Sequence, residues 1–254
     1  MMNRTFDLIT ATVGAVARLG SGIHATRGAV VPNKLVELYE FEASPFCRKV
    51  REALTELDLD AMIYPCPRGG KVHRPRAIEI GGKKQFPFLV DPNTGQTLYE
   101  SADIVDYLFD RYGNGRPSAR LRIGPLANTT SFLATAVRLH RGVKARPSRQ
   151  PDQPLELYSI EASPFCRLVR ETLCELELAY KLRNLGRGPG LVDYLPPGLR
   201  YRFAPGKPYT TVKRRQFAER TGRVMVPYLL DPNTGVELFE SADIVQYLVE
   251  TYAL

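Results

Sequence analysis

The string "EASPFCR" stands at residues 42–48 and recurs unchanged at residues 161–167. The identity runs well past those seven residues. At an offset of 119, "ELYEFEASPFCRKVREALTELDL" from Glu37 matches "ELYSIEASPFCRLVRETLCELEL" from Glu156 at 17 of 23 positions. At an offset of 140, "FPFLVDPNTGQTLYESADIVDYL" from Phe86 matches "VPYLLDPNTGVELFESADIVQYL" from Val226 at 16 of 23. The change of offset, 140 minus 119, places 21 extra residues between the two matching blocks of the second copy. Solenoid units run about 20–50 residues, so two copies this far apart read as a duplicated globular unit. The chain therefore has to build one architecture twice, over residues 1–115 and 116–254.

Each copy carries the same local signals. "LVELYEF" is a short β-rich run. Ser44-Pro45 then supplies a capping hydroxyl followed by proline at the first helical position, where its missing N–H costs nothing. The helix that follows sets Phe46, Val50, Leu54 and Leu57 on one face. "AMIYP" reads as a second strand, and "PFLVD", "PNTG" and "TLYE" as an antiparallel hairpin around an Asn-Thr-Gly turn. "SADIVDYLFDRY" closes the unit as a helix with Ser101 as its expected cap. The order is β-α-β followed by β-β-α, twice.

A fainter match precedes both copies. "ARLGSGIHATRG" from Ala17 and "VRLHRGVKARPS" from Val137 share Arg-Leu, a glycine three residues on and an alanine three after that. The basic N-terminus invites comparison with an organellar transit peptide. A transit peptide has no reason to recur before a second copy, so residues 5–20 are expected to form a helix ahead of the first unit. A helix near 126–141 is expected ahead of the second.

Charge is unevenly spread. The whole chain carries +8, yet residues 116–149 hold eight Lys or Arg and no acid, and residues 181–223 hold eleven against Asp193 and Glu219. These segments are read as a solvated face or as contacts for an acidic protein partner. No nucleic-acid motif accompanies them, and nucleic acid is set aside as a partner. No run approaches the ~18 apolar residues of a membrane span. Four cysteines are too few for a disulfide framework in 254 residues, which points to a reducing compartment, either cytoplasmic or the stroma or matrix of an organelle. Without a histidine at ligand spacing, the cysteines do not read as a zinc site. Cys174 reads as a core residue, and Cys66 as a loop thiol able to approach the Cys47 helix.

Three motifs in order, "SPFC", "FPFLVD" or "VPYLLD", and "ESADIV", resemble those of the thioredoxin fold as found in glutaredoxins and in the N-terminal domain of glutathione transferases. The resemblance implies an α/β fold of two tandem thioredoxin-like units. It makes Pro87 and Pro227 cis, so that the backbone of Phe86 or Val226 pairs with an extended peptide. It makes Glu100-Ser101 and Glu240-Ser241 the grip on the γ-glutamyl end of glutathione, an anion suited to the N-terminus of a helix. Glutathione is thus the implied ligand or substrate.

The reactive position departs from glutaredoxins. Ser44 and Ser163 replace the first cysteine of their motif, so neither unit has a dithiol cycle. Serine-type glutathione transferases use this position to activate the glutathione thiol. Ser44 and Ser163 also read as plain helix caps. Cys47 and Cys166, in the first helical turn beside Arg48 and Arg167, are read either as auxiliary reactive thiols or as buried structural ones. The helical domain that follows in glutathione transferases has no room here, so any second substrate must find its pocket between the copies or at a dimer interface. The expected function is glutathione transferase-like or thiol-redox chemistry. The competing expectation is a non-catalytic module that meets a partner through its basic segments.

Overall fold

The computed structural model describes residues 22–25, 28, 30–122, 141–195 and 197–254, with the side chains of 120, 122, 197, 198 and 201 left out. The helices expected over 5–20 and near 126–141 fall outside these residues, position 141 aside. The first half runs β1 (Val36–Glu40), α1 (Pro45–Glu56), β2 (Ala61–Pro65), α2 (Arg74–Gly81), β3 (Phe88–Asp91), β4 (Gln96–Leu98) and α3 (Ser101–Tyr112). A short helix, α4 (Ala119–Arg122), follows. The second half repeats the order as β5 (Leu155–Ser159), α5 (Pro164–Glu175), β6 (Tyr180–Asn184), α7 (Val212–Thr221), β7 (Tyr228–Asp231), β8 (Val236–Phe239) and α8 (Ser241–Tyr252). Its extra residues add a 3-10 turn, Leu191–Asp193, and helix α6 (Pro197–Phe203) between β6 and α7.

The two halves share one sheet. Its strand order, β4-β3-β1-β2-β6-β5-β7-β8, is palindromic about the β2·β6 junction. There Ala61, Met62 and Ile63 pair antiparallel with Leu182, Lys181 and Tyr180. One apolar core continues across the junction, from Val36, Leu38, Val50 and Leu54 to Leu157, Val169, Leu173 and Leu182. Helices α1, α3, α5 and α8 cover that face. On the other face α2 packs Ala77 against Tyr39 and Phe88, and α7 packs Phe217 against Tyr228.

Both caps predicted from Ser-Pro are present: Ser44 Oγ accepts from Cys47 N at 3.2 Å and Ser163 Oγ from Cys166 N at 3.3 Å. Ser101 differs from expectation. It is the first helical residue, and the cap position belongs to Glu100, at φ 60°, with Glu240 alike at φ 68°. Phe46 also departs from the predicted core face, being 47% exposed. It sits in the first turn of α1, ahead of Val50 and Leu54, which carry the packing. The hairpin turns are tied down as the Asn-Thr-Gly signal suggested, with Asn93 N donating to Asp91 Oδ1 at 2.8 Å and Asn233 N to Asp231 Oδ1 at 2.8 Å.

The faint match before the two copies has a structural meaning that the sequence did not disclose. Residues 22–25 precede the first half but bridge to the second, with Ala25 N donating to Arg187 O at 2.9 Å and Arg187 N to Ile23 O at 2.7 Å. Residues 143–145 precede the second half but bridge to the first, where Ala145 N donates to Arg68 O at 3.0 Å. Each strap thus crosses the junction. Gly22 at φ 76° and Gly142 at φ 69° make the crossing possible: a Cβ on Gly22 would lie 2.8 Å from Glu161 Cβ, and one on Gly142 3.0 Å from Glu42 Cβ.

Candidate functional site

Topology sets the groups of each half in a row at one end of its strands, and the antiparallel β2·β6 junction puts the two rows at opposite ends of the sheet. In the second half β5 and β6 are parallel and β7 is antiparallel to β5, so their relevant ends coincide. Read across the sheet, the row is Arg187 just after β6, Ser163 just after β5, Val226-Pro227 just before β7, and Glu240-Ser241 just after β8. Neighbouring strands lie about 4.8 Å apart, so the row spans roughly 14 Å from β6 to β8. That length suits a short extended peptide. The first half repeats the row with Arg68, Ser44, Phe86-Pro87 and Glu100-Ser101. Both X-Pro bonds, Phe86-Pro87 and Val226-Pro227, are cis as the resemblance implied.

The structure therefore brings the predicted residues together, with one cluster in each half. Ser101 and Ser241 are buried at their helix N-termini, while Glu100 and Glu240 are exposed in front of them. The positive φ of both glutamates costs about 1–3 kcal/mol in a residue with a Cβ, and such strain gathers at ligand sites. Sequence reading missed this strain.

The halves are not equivalent. Glu100 accepts a hydrogen bond from Gln85 Nε2, whereas Met225 stands at the matching place before Glu240. Ser44 is 3% exposed, while Ser163 is half-buried and opens on a cavity of about 400 Å³. That cavity is lined by Ile23 of the crossing strap, by Ser163, Pro164 and Phe165, by Arg187, Tyr194 and Arg214, and by Val224, Met225 and Val226, among others. Its size falls in the ordinary range for small-molecule sites, about 300–1,000 Å³. In each cap the serine oxygen accepts from a backbone N–H, which leaves the hydroxyl proton of Ser163 available to a ligand.

The cysteines lie apart from this opening. Cys47 and Cys166 are completely buried, and burial pushes the Cys47 thiol up to about 12, with Glu40 acting in the same direction. Of the two readings offered for Cys47, the geometry favours the structural thiol. Cys66 and Cys174 are also buried and free, with their pKa values raised by burial. Cys174 occupies the core position expected of it, and Glu42 N points at its Sγ at 3.4 Å. Among the described residues no cluster of His, Cys, Asp and Glu could hold a metal, and no helix is long and apolar enough to cross a membrane.

Two thioredoxin-type halves, each with a serine, a cis-proline and a Glu-Ser helix start at one end of its strands, define the glutathione transferase N-terminal class. The profile of the family "Glutathione S-transferase, N-terminal domain" matches residues 38–117 and again 157–254, and the chain belongs to that family. A curated relative, the glutathione S-transferase-like protein tpcF of Aspergillus fumigatus, is 36% identical over 87 residues, which are 34% of this chain and 36% of that protein. The match thus spans about a third of that relative's length. Among solved structures, Bombyx mori glutathione transferase BmGSTD1 is similar at 26% identity and a TM-score of 0.30, over 34% of this chain and 39% of that one.

Proposed function

We propose that the protein binds glutathione, or a closely similar thiol peptide, at the sheet end of its second half and uses it in transferase chemistry. The observation that carries this reading is the row Ser163, Val226-Pro227, Glu240-Ser241, in strand order, beside an open cavity. The γ-glutamyl carboxylate would meet the N-terminus of α8, where free N–H groups and the helix dipole favour an anion. Glu240 would face the ammonium group. The Ser163 hydroxyl would donate to the peptide sulfur and stabilise its thiolate, which then bonds to an electrophilic carbon as the leaving group departs.

Calorimetric titration with glutathione tests this, with Ser163→Gly and Glu240→Ala as variants. Saturable binding that Glu240→Ala weakens, and thiol transfer that Ser163→Gly lowers about 10–100-fold, are the expected results; the latter is the worth of one hydrogen bond to a charged group. Glycine is tolerated as an N-cap at a cost of only a few tenths of a kcal/mol, which separates the chemistry from the fold. No binding at millimolar glutathione would overturn the reading.

A second reading has an observation of its own. Leu191 and Phe203 are 86% and 64% exposed in the added segment, close in sequence to Arg200, Arg202 and Lys207. An apolar and basic surface of this kind suits an acidic protein partner and would let the fold serve as a non-catalytic module. Retention of an acidic partner by the full chain, together with no glutathione binding, would favour it.

A further inference from the structure

The cavity beside Ser163 holds two arginines, Arg187 from the end of the row and Arg214 in addition to it. Arg187 reaches it from the end of β6, its guanidinium 5.3 Å from the centre of the Tyr194 ring. Tyr194 is held in turn by a hydrogen bond of 2.5 Å between its hydroxyl and Nδ1 of His24, on the crossing strap. Arg214 is 5% exposed and lines the same cavity, and its buried Nε has no hydrogen-bond partner. Burial lowers the Arg214 pKa, partly opposed by Asp193, and the neighbouring charges of Arg187 and Arg200 act in the same direction as burial. Among the described residues Asp193 is the one carboxylate in an ion pair with any of these three arginines, at 3.5 Å from Arg214 Nε. Two arginines, Arg187 and Arg214, thus reach the cavity with one carboxylate to share, at a wall that is largely apolar.

The first half lacks this arrangement. Arg68, which matches Arg187, is exposed, and Arg74, which matches Arg214, spends its Nε on the carbonyls of Cys66 and Pro67 at 3.0 and 2.6 Å. Asp193, Tyr194 and Arg200 fall among the residues added to the second half, with no counterpart in the first.

We propose that this cavity binds an apolar, aromatic ligand bearing one carboxylate, with the ring against Phe165 and Tyr194 and the anion on Arg187. Arg187 is preorganised by its stack on Tyr194, so little ordering is lost on binding, and an anion paired with a guanidinium makes the stronger class of hydrogen bond. The inference deepens the proposed function by naming the class of second substrate. It rests on that reading only for the reaction, since binding can be measured without glutathione. It also places a second-substrate pocket inside one chain, built by the added segment and the crossing strap.

The test is titration of the full chain with 2-naphthoate and, separately, with 2-naphthamide, for wild type and for Arg187→Gln, Arg187→Lys and Arg68→Gln. The expected result is one naphthoate per chain, bound at least ~10-fold more tightly than the amide, as a charge-assisted hydrogen bond provides. Arg187→Gln should abolish that preference, while Arg187→Lys and Arg68→Gln keep it. Equal binding of acid and amide, unchanged preference in Arg187→Gln, or no naphthoate binding at millimolar concentration would each overturn the proposal. Naphthoate selectivity without glutathione binding supports the cavity and sinks the thiol-peptide reading; the converse result does the opposite.

Discussion

Arg51 in the first half and Glu161 in the second meet in the protein's interior, Nε to Oε2 at 3.0 Å, with side-chain exposures of 1% and 3%. The mirrored pair, Arg170 and Glu42, stands at 3.1 Å. Each arginine also touches the other glutamate, Arg51 with Glu42 at 3.1 Å and Arg170 with Glu161 at 3.1 Å. The glutamate of the repeated "EASPFCR" is therefore a joint between halves. Flanking pairs within the helices, Arg48–Glu52 at 3.2 Å and Arg167–Glu171 at 3.1 Å, extend the buried charge.

Removing one member of this quartet leaves buried charge uncompensated. Glu161→Ala is expected to cost about 3–5 kcal/mol, seen as a lowered urea midpoint. A loss below about 1 kcal/mol, the range of exposed ion pairs, would mean that water reaches the joint.

Glu40 breaks the symmetry of the joint, because Ser159 holds its place in the second half. Burial raises its pKa to about 7, against the pull of Arg51, so the folded protein keeps this proton where the unfolded chain has lost it. Its contribution to stability is full below the ordinary value near 4.5 and is lost as pH rises through 7. Glu42 behaves oppositely: burial would raise it, but Arg170 and Arg51 prevail and hold it at about 2, so its contribution persists above 4.5 and disappears as pH falls through 2. Glu40→Ser should therefore shrink the loss of stability between pH 5 and pH 8, because the proton that the folded state binds more tightly is gone. Urea unfolding at the two pH values measures it, and an unchanged difference would refute the assignment.

Thiol reagents should find this protein slow to react. All four cysteines are buried, and Cys47 holds its proton up to about pH 12 because of that burial. The expected course with an aromatic disulfide reagent at mildly alkaline pH is little release until urea unfolds the chain. Rapid labelling of Cys47 in the native protein would restore its auxiliary reactive role.

Glu240 trades stability for its position before α8. Glu240→Gly relieves a positive φ and should stabilise the fold by about 1 kcal/mol while weakening glutathione binding. Thermal midpoint and calorimetric affinity moving in opposite directions would carry the point; a fall in both would show that the side chain supports the fold.

Much of the local structure was legible in the sequence. Serine-proline marked the starts of α1 and α5, Asn-Thr-Gly marked both hairpins, and the repeat carried the candidate row into each half. Where the reading failed, the cause was long-range. Phe46 reads as a core residue by periodicity; serine-proline puts it in the first turn, but nothing local says that this position is left exposed. Arg51 and Glu52 drew no reading, because helical period separates polar from apolar without saying what the polar side faces. The recurrence of Glu42, Arg48, Arg51 and Glu52 at the same places in the second copy was the available signal.

The repeated unit, its serine-proline helix starts, its turns and the residue types of the candidate row could be read from the sequence alone, because those depend on neighbours close along the chain. Long-range contacts join β2 and β6 so that two halves form one sheet, carry each strap to the other half, and bring Arg187, Tyr194 and Ser163 to one cavity. Those outcomes depend on which exposed edge and which charged helix face found each other, and contacts between residues far apart along the chain leave no mark in local periodicity.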